Sequence, residues 1–190
     1  TFPTEAKYSK VAYAAARWKE FCEGLLKCGT TNAAIYATSH TAATYKLLET
    51  ANKAGLRAHV GKVLMDRHAP DNLLQPADEA LDELDGLINK WKDNSRVKVS
   101  VAVRFAPTST PELLKGAGDL IRKHHNLLVQ THLGETKEEV KWAQELFPKY
   151  KNYTEIYAKN NILNSKTVLG HCIYLTDAEI SFLTSEKSHL

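Results

Sequence analysis

Cysteine is scarce in this sequence: Cys22, Cys28 and Cys172 are the three among 190 residues. An odd count without CxxC spacing argues against a disulfide framework or a cysteine zinc finger and suits a reducing, cytoplasmic setting. Each thiol is expected to be a small buried or half-buried apolar residue. No apolar run approaches the roughly 18–20 residues of a transmembrane helix. The opening TFPTEAK lacks the basic and apolar stretches of a signal peptide. It also lacks an initiator Met, so the numbering is expected to begin inside a longer protein. There is no GxGxxG or Walker-type loop, which weakens a nucleotide-binding doubly wound sheet. Charge of one sign is not in excess: the formal net charge is +3, and basic residues alternate with acidic ones. Nucleic-acid and membrane partners therefore gain no support.

The composition present, 43% hydrophobic and 25% charged, is that of a soluble globular chain with a real core. No linker or low-complexity segment interrupts it, so residues 1–190 are read as one domain unit. Val11, Ala14, Ala15, Trp18, Cys22 and Leu25 recur at helical spacing, and Gly29 stops that helix. Strand-like runs follow at 32–38, 57–65, 97–103, 127–131 and 167–170. Between them lie helical stretches at 41–53, 77–91, 111–124 and 137–146, a mixed segment at 153–163, and a last helix opening at Thr176. About five β-then-α units without hairpin signals imply an α/β fold on a parallel sheet, either a barrel or a doubly wound sheet.

Barrel active sites are built at the C-terminal ends of the strands, which singles out the polar residues there. Arg104 ends the third predicted strand, His132 the fourth and His171 the fifth, with Glu135 three residues beyond His132. Two imidazoles on neighbouring strands suit zinc, and a non-ligand carboxylate beside them suits proton transfer. The alternative is that both histidines are hydrogen-bonded rim residues and Glu135 is a helix-start carboxylate. Two histidines alone do not complete a zinc site. Arg104 must be paired or meet a ligand, and Phe105 beside it is either core or a platform for a flat heterocycle. His40, His59, His68, His124, His125 and His189 have no partner at ligand spacing. His171-Cys172 is not expected to act as a nucleophilic dyad, because successive strand side chains point to opposite faces.

At these residues the sequence resembles the guanine deaminase family of the metal-dependent amidohydrolases. The resemblance runs from Thr1 to about Thr184 and includes TFPTEAKY, GTT, GKVLMD at 61–66, RFAPTST at 104–110, QTHLGE at 130–135, LFPKYKNYTEIYAKNNIL at 146–163 and GHCIYLT at 170–176. THxxE and GHC resemble motifs shared across the superfamily, whereas RFAPTST and KNYTEIY are more specific. The resemblance implies a (β/α)8 TIM-type barrel with about strands two to six present and the first, seventh and eighth missing. It implies that His132 and His171 bind zinc, that Glu135 is the catalytic proton shuttle, and that Arg104 and Phe105 hold guanine. The reaction implied is hydrolytic deamination of guanine to xanthine and ammonia, by a homodimer with no nucleic-acid or membrane partner.

The family's His-x-His pair and nearby Gln on the first strand, and its aspartate ligand on the eighth, are expected outside this chain. The chain alone is therefore expected to bind zinc poorly, to be inactive and to expose open sheet edges. The family usually has Pro where Val103 stands and Ser or Ala where Gly134 stands, and glycine there is expected to loosen the loop carrying Glu135. Alternative readings are another amidohydrolase acting on a triazine, cytosine or adenosine derivative, or a non-catalytic barrel remnant with a binding or structural role.

Overall fold

A computed structural model describes residues 1–186, so His189 lies outside the described residues. Two N-terminal helices, α1 (Phe2–Glu5) and α2 (Val11–Lys27), precede five strands: β1 (Asn32–Tyr36), β2 (Arg57–Leu64), β3 (Val97–Val103), β4 (Val129–Leu133) and β5 (Thr167–His171). The connections are α3 (Thr41–Ala54), α4 (Ala77–Trp91), α5 (Pro111–Lys123) and the pair α6 (Lys137–Leu146) and α7 (Tyr153–Lys159); α8 (Asp177–Ser185) follows β5. All strand pairs are parallel, in the order β1-β2-β3-β4-β5. A doubly wound sheet reverses its strand order at a switch point. Sequential order without reversal is that of a barrel, and the five strands form a curled half-barrel.

Two-residue alternation sorts the strand side chains onto two faces. On β3, Val97, Val99, Val101 and Val103 are buried and face the helices, while Ser100 and Ala102 take the inner face. The inner face carries buried polar groups, two of which satisfy each other: the Gln130 side-chain amide donates to Ser100 Oγ at 2.7 Å and also to the Ile35 carbonyl at 3.2 Å. The helix layer packs outside through amphipathic faces such as Ala80, Leu84, Leu87 and Ile88 of α4. Threonines stand at the entrances of α5, α6 and α8: Thr110, Thr136 and Thr176 each accept the N–H three residues on. These caps start the helices at the same end of the sheet where the strands finish.

Boundaries agree with the sequence pattern over most of the chain, with instructive exceptions. β4 begins at Val129 and runs to Leu133, so His132 lies within the strand and not beyond it. The mixed segment at 153–163 forms α7 and then a loop that turns through Asn161 at φ 57°. Helix α1 and the 3-10 turns at Ala6–Ser9, Asp71–Leu73 and Ala106–Thr108 have too little periodicity to be read. Cys22 is buried and Cys172 half-buried, but Cys28 is exposed at the end of α2. Among the described residues no helix is long and apolar enough to cross a membrane.

Candidate active site

The C-terminal ends of β3, β4 and β5 bring the singled-out residues together. His132 shares the inner face with Gln130. Its Nδ1 lies 2.7 Å from the carbonyl oxygen of Arg104. A carbonyl only accepts, so Nδ1 carries the proton and the lone pair of Nε2 is left free. Gly170, paired with His132 across the ladder, makes room for the ring: a Cβ there would sit 3.1 Å from His132 Cδ2. The Tyr36 ring packs on the other side at 4.7 Å, with its buried hydroxyl lacking a hydrogen-bond partner among the described residues. Burial raises the pKa of that phenol well above its ordinary value.

His171 reaches the same place by a different route. The register sets it opposite Leu133, whose side chain belongs to the hydrophobic core on the helix side. Strict alternation would send His171 there too. Instead the backbone turns left-handed at His171 (φ 73°) and Cys172 (φ 55°), and the imidazole stacks on that of His132 with ring centres 5.3 Å apart. Each such non-glycine residue costs about 1–3 kcal/mol and persists where surrounding structure enforces it. The same turn changes the ground for dismissing a His171–Cys172 dyad: the two residues are not extended neighbours, but burial pushes the Cys172 thiol up to about 11, keeping it protonated.

Glu135 stands outside α6, since Thr136 is the cap, and is not a helix-start carboxylate. Its Oε2 lies 3.4 Å from His171 Nε2, and the side chain is half exposed. The preceding Gly134 takes φ 63° and its carbonyl accepts the N–H groups of Ile173 (3.1 Å) and Tyr174 (3.0 Å). The loop carrying Glu135 is thus tied down at the glycine, contrary to the expected loosening.

Arg104 follows β3 and is half-buried. Its guanidinium lies 4.8 Å from the Phe105 ring centre and 5.3 Å from that of Phe2. Burial lowers its pKa, and the charges of Glu135, Glu139 and Glu5 act against that shift. Among the described residues it forms no ion pair and no side-chain hydrogen bond. Phe105 is braced by Trp142 of α6 at 5.9 Å, and Trp142 is stacked with His68 at 5.2 Å. His68, which has no partner at ligand spacing in the sequence, is held by its Nδ1 at 2.9 Å from the Pro107 carbonyl. No spacing rule could have linked residues 68, 105 and 142.

Residues 7–189 match the amidohydrolase family. The chain belongs to that family. It is 36% identical to the guanine deaminase of Escherichia coli (strain K12) over 190 residues, spanning 100% of this chain and 43% of that protein. With the guanine deaminase of Dictyostelium discoideum the identity is 35%, over 99% of this chain and 42% of the relative. A solved guanine deaminase from C. acetobutylicum, with guanine bound in its active site, superposes with a TM-score of 0.95 at 36% identity, covering 98% of this chain and 45% of that one. The E. coli enzyme structure gives 0.97 over 99% of this chain and 44% of its own. The chain thus spans less than half the length of the relatives it matches.

For an amidohydrolase the question is whether these donors fit a metal. His132 offers a free Nε2 whose opposite nitrogen is oriented by a carbonyl, the usual outer-shell arrangement of a metal-binding imidazole. The stacked His171 places a second imidazole beside it. Among the described residues no cluster of three His, Cys, Asp or Glu could hold a metal ion. The donors therefore fit one half of a zinc site.

Proposed function

We propose that the complete protein deaminates guanine hydrolytically, giving xanthine and ammonia, and that residues 1–190 form part of its one catalytic barrel domain. The observation that carries this reading is the half-buried Arg104 guanidinium, without an acceptor among the described residues, beside Phe105 and at the mouth that holds His132, His171 and Glu135. A planar cation with fixed donors suits the ring carbonyl of guanine, and an aromatic face suits the base. His132 and His171 would hold zinc together with ligands from outside the chain. When bound, the metal supplies a water acidic enough to attack at neutral pH. Glu135 would accept a proton from the attacking water and return it to the departing amine, a reading supported by its half-exposed carboxylate 3.4 Å from His171. The Phe105 ring, braced by Trp142, keeps the heterocycle flat against the mouth.

The test is ammonia release by the protein expressed from its complete gene, with guanine, cytosine, adenosine and a diamino-triazine compared at equal concentration. Guanine should be preferred by at least about tenfold in kcat/KM, an energy of roughly 1.4 kcal/mol. Preference for a substrate without a ring carbonyl would mean that Arg104 does not hold the base.

A further inference from the structure

The arm that would hold guanine and the strand that would hold the metal are scarcely joined by the sheet. β3 and β4 pair only at Val101↔Val129 and Ala102↔Gln130, whereas β4 and β5 remain paired through Leu133↔His171. Beyond Ala102 the strands separate, and the backbone N–H of His132 reaches the Arg104 carbonyl only at 3.4 Å. Apart from the bond of His132 Nδ1 to the Arg104 carbonyl at 2.7 Å, something other than the ladder must fix Arg104 and Phe105 relative to His132.

On the helix side that link is one hydroxyl. Tyr157 of α7 is fully buried. Its Oη accepts the N–H of Ala106, the residue after Phe105, at 2.9 Å and donates to the carbonyl of His132 at 2.8 Å. Thr131 Oγ1 donates to the Tyr157 phenol oxygen at 3.1 Å. A phenol has one proton and two acceptor lone pairs, so these three partners use it completely. The neighbouring Tyr153 hydroxyl lies 3.3 Å from the same phenol oxygen, a longer contact than those three, and among the described residues forms no hydrogen bond to either arm.

We propose that Tyr157 is a positioning residue that sets the separation between the Arg104–Phe105 arm and His132, so that metal affinity and guanine binding both depend on its hydroxyl. The inference rests on the deaminase reading of the site. Removing the hydroxyl leaves the Ala106 N–H, the His132 carbonyl and the Thr131 hydroxyl buried without that partner, with the bonds of His132 to the Arg104 carbonyl left to hold the two strand ends at their spacing.

The experiment compares Tyr157→Phe with Tyr153→Phe in the zinc-loaded protein expressed from its complete gene. Zinc affinity is read by chelator competition, guanine KM and kcat by ammonia release, and stability by thermal unfolding, with binding measured below both transitions. Tyr157→Phe should weaken zinc by about tenfold, the lower end of the cost of disturbing the support of a metal ligand, and raise guanine KM. Tyr153→Phe should lower the melting temperature while leaving both values near wild type. If Tyr157→Phe does not fold, Thr131→Val removes one donor to the hydroxyl and should move zinc affinity and KM in the same direction by less. Equal melting shifts for the two Tyr variants, with zinc affinity and KM unmoved in both, would overturn the proposal while leaving the deaminase reading intact. A wild-type protein that holds no zinc and does not act on guanine would overturn both.

Discussion

The Nδ1 atom of His132 donates to the carbonyl oxygen of Arg104 across 2.7 Å, so in the proposed deaminase one imidazole would serve both the metal side and the substrate side of the site. The two duties use different nitrogens and can be separated by substitution. In His132→Asn the side-chain amide retains a donor near Nδ1 but has nothing at Nε2; in His132→Ala both are gone. Zinc content should collapse in both variants. Binding of xanthine, measured at equilibrium, should fall further in the Ala variant, where the Arg104 carbonyl loses its donor. Identical losses of xanthine affinity would mean that the hydrogen bond does not position Arg104.

Arg104 itself offers a cleaner separation of binding from metal chemistry. Lysine keeps the charge but replaces a planar fork with a point donor that also loses stacking on Phe105. Arg104→Lys should lower kcat/KM for guanine by about 10–100-fold, roughly 1.4–2.7 kcal/mol of transition-state binding. Zinc content should remain that of the wild type, because no metal donor is touched. Loss of zinc alongside activity would show that Arg104 supports the fold of the mouth and does not contact substrate.

These separations draw on features of unequal legibility. Strand positions are visible in the sequence because β-branched runs such as Val97 to Val103 alternate or run apolar between turn residues, and sequential parallel order follows from β-then-α repetition. Arg104, His132, Glu135 and His171 stand out because polar groups closing apolar strands need a reason. The inward turn of His171 is not visible, since it depends on two left-handed residues that no local preference dictates. Tyr157 is legible only in three dimensions, because its partners lie 51 and 25 residues away in sequence. Trp142 and His68 share that difficulty: side chains from separate segments converge on Phe105 only once the half-barrel has formed.

Lys62 predicts a pH effect on stability. It is 1% exposed on the helix side of β2, with Nζ 2.7 Å from Gln75 Oε1 and 3.6 Å from Glu83 Oε2. Burial pulls its pKa from 10.5 down to about 8, against the partial support of Glu83. The unfolded chain keeps the proton up to 10.5 while the folded chain releases it near 8, so stability rises with pH across that window. Below it the penalty is fully present, on the order of 3 kcal/mol before relaxation. Lys62→Met should therefore raise stability near neutrality and flatten this rise, measured by urea unfolding at several pH values. Gln75 still donates to Glu83 at 2.7 Å, so the carboxylate retains a partner. A Met variant less stable at every pH would show that attraction to Glu83 outweighs desolvation.

Gly134 connects backbone strain to the placement of Glu135. At φ 63° it occupies a region that costs an L-residue about 1–2 kcal/mol, and a Cβ there would stand 3.3 Å from the Tyr174 carbonyl oxygen. Its own carbonyl binds two N–H groups at the exit of β5, so the loop cannot shift without breaking them. Gly134→Ala has two outcomes open to it. Either the loop keeps its path and the protein loses about that much stability, or the loop relaxes and carries Glu135 away from His171. The second route should lower kcat for guanine more than it raises KM, since Glu135 would act in proton transfer and Arg104 with Phe105 in binding. Melting temperature and the kcat-to-KM split together identify the route taken. An Ala variant with wild-type stability and turnover would show that the left-handed turn is dispensable, and that Gly134 does not govern the placement of Glu135.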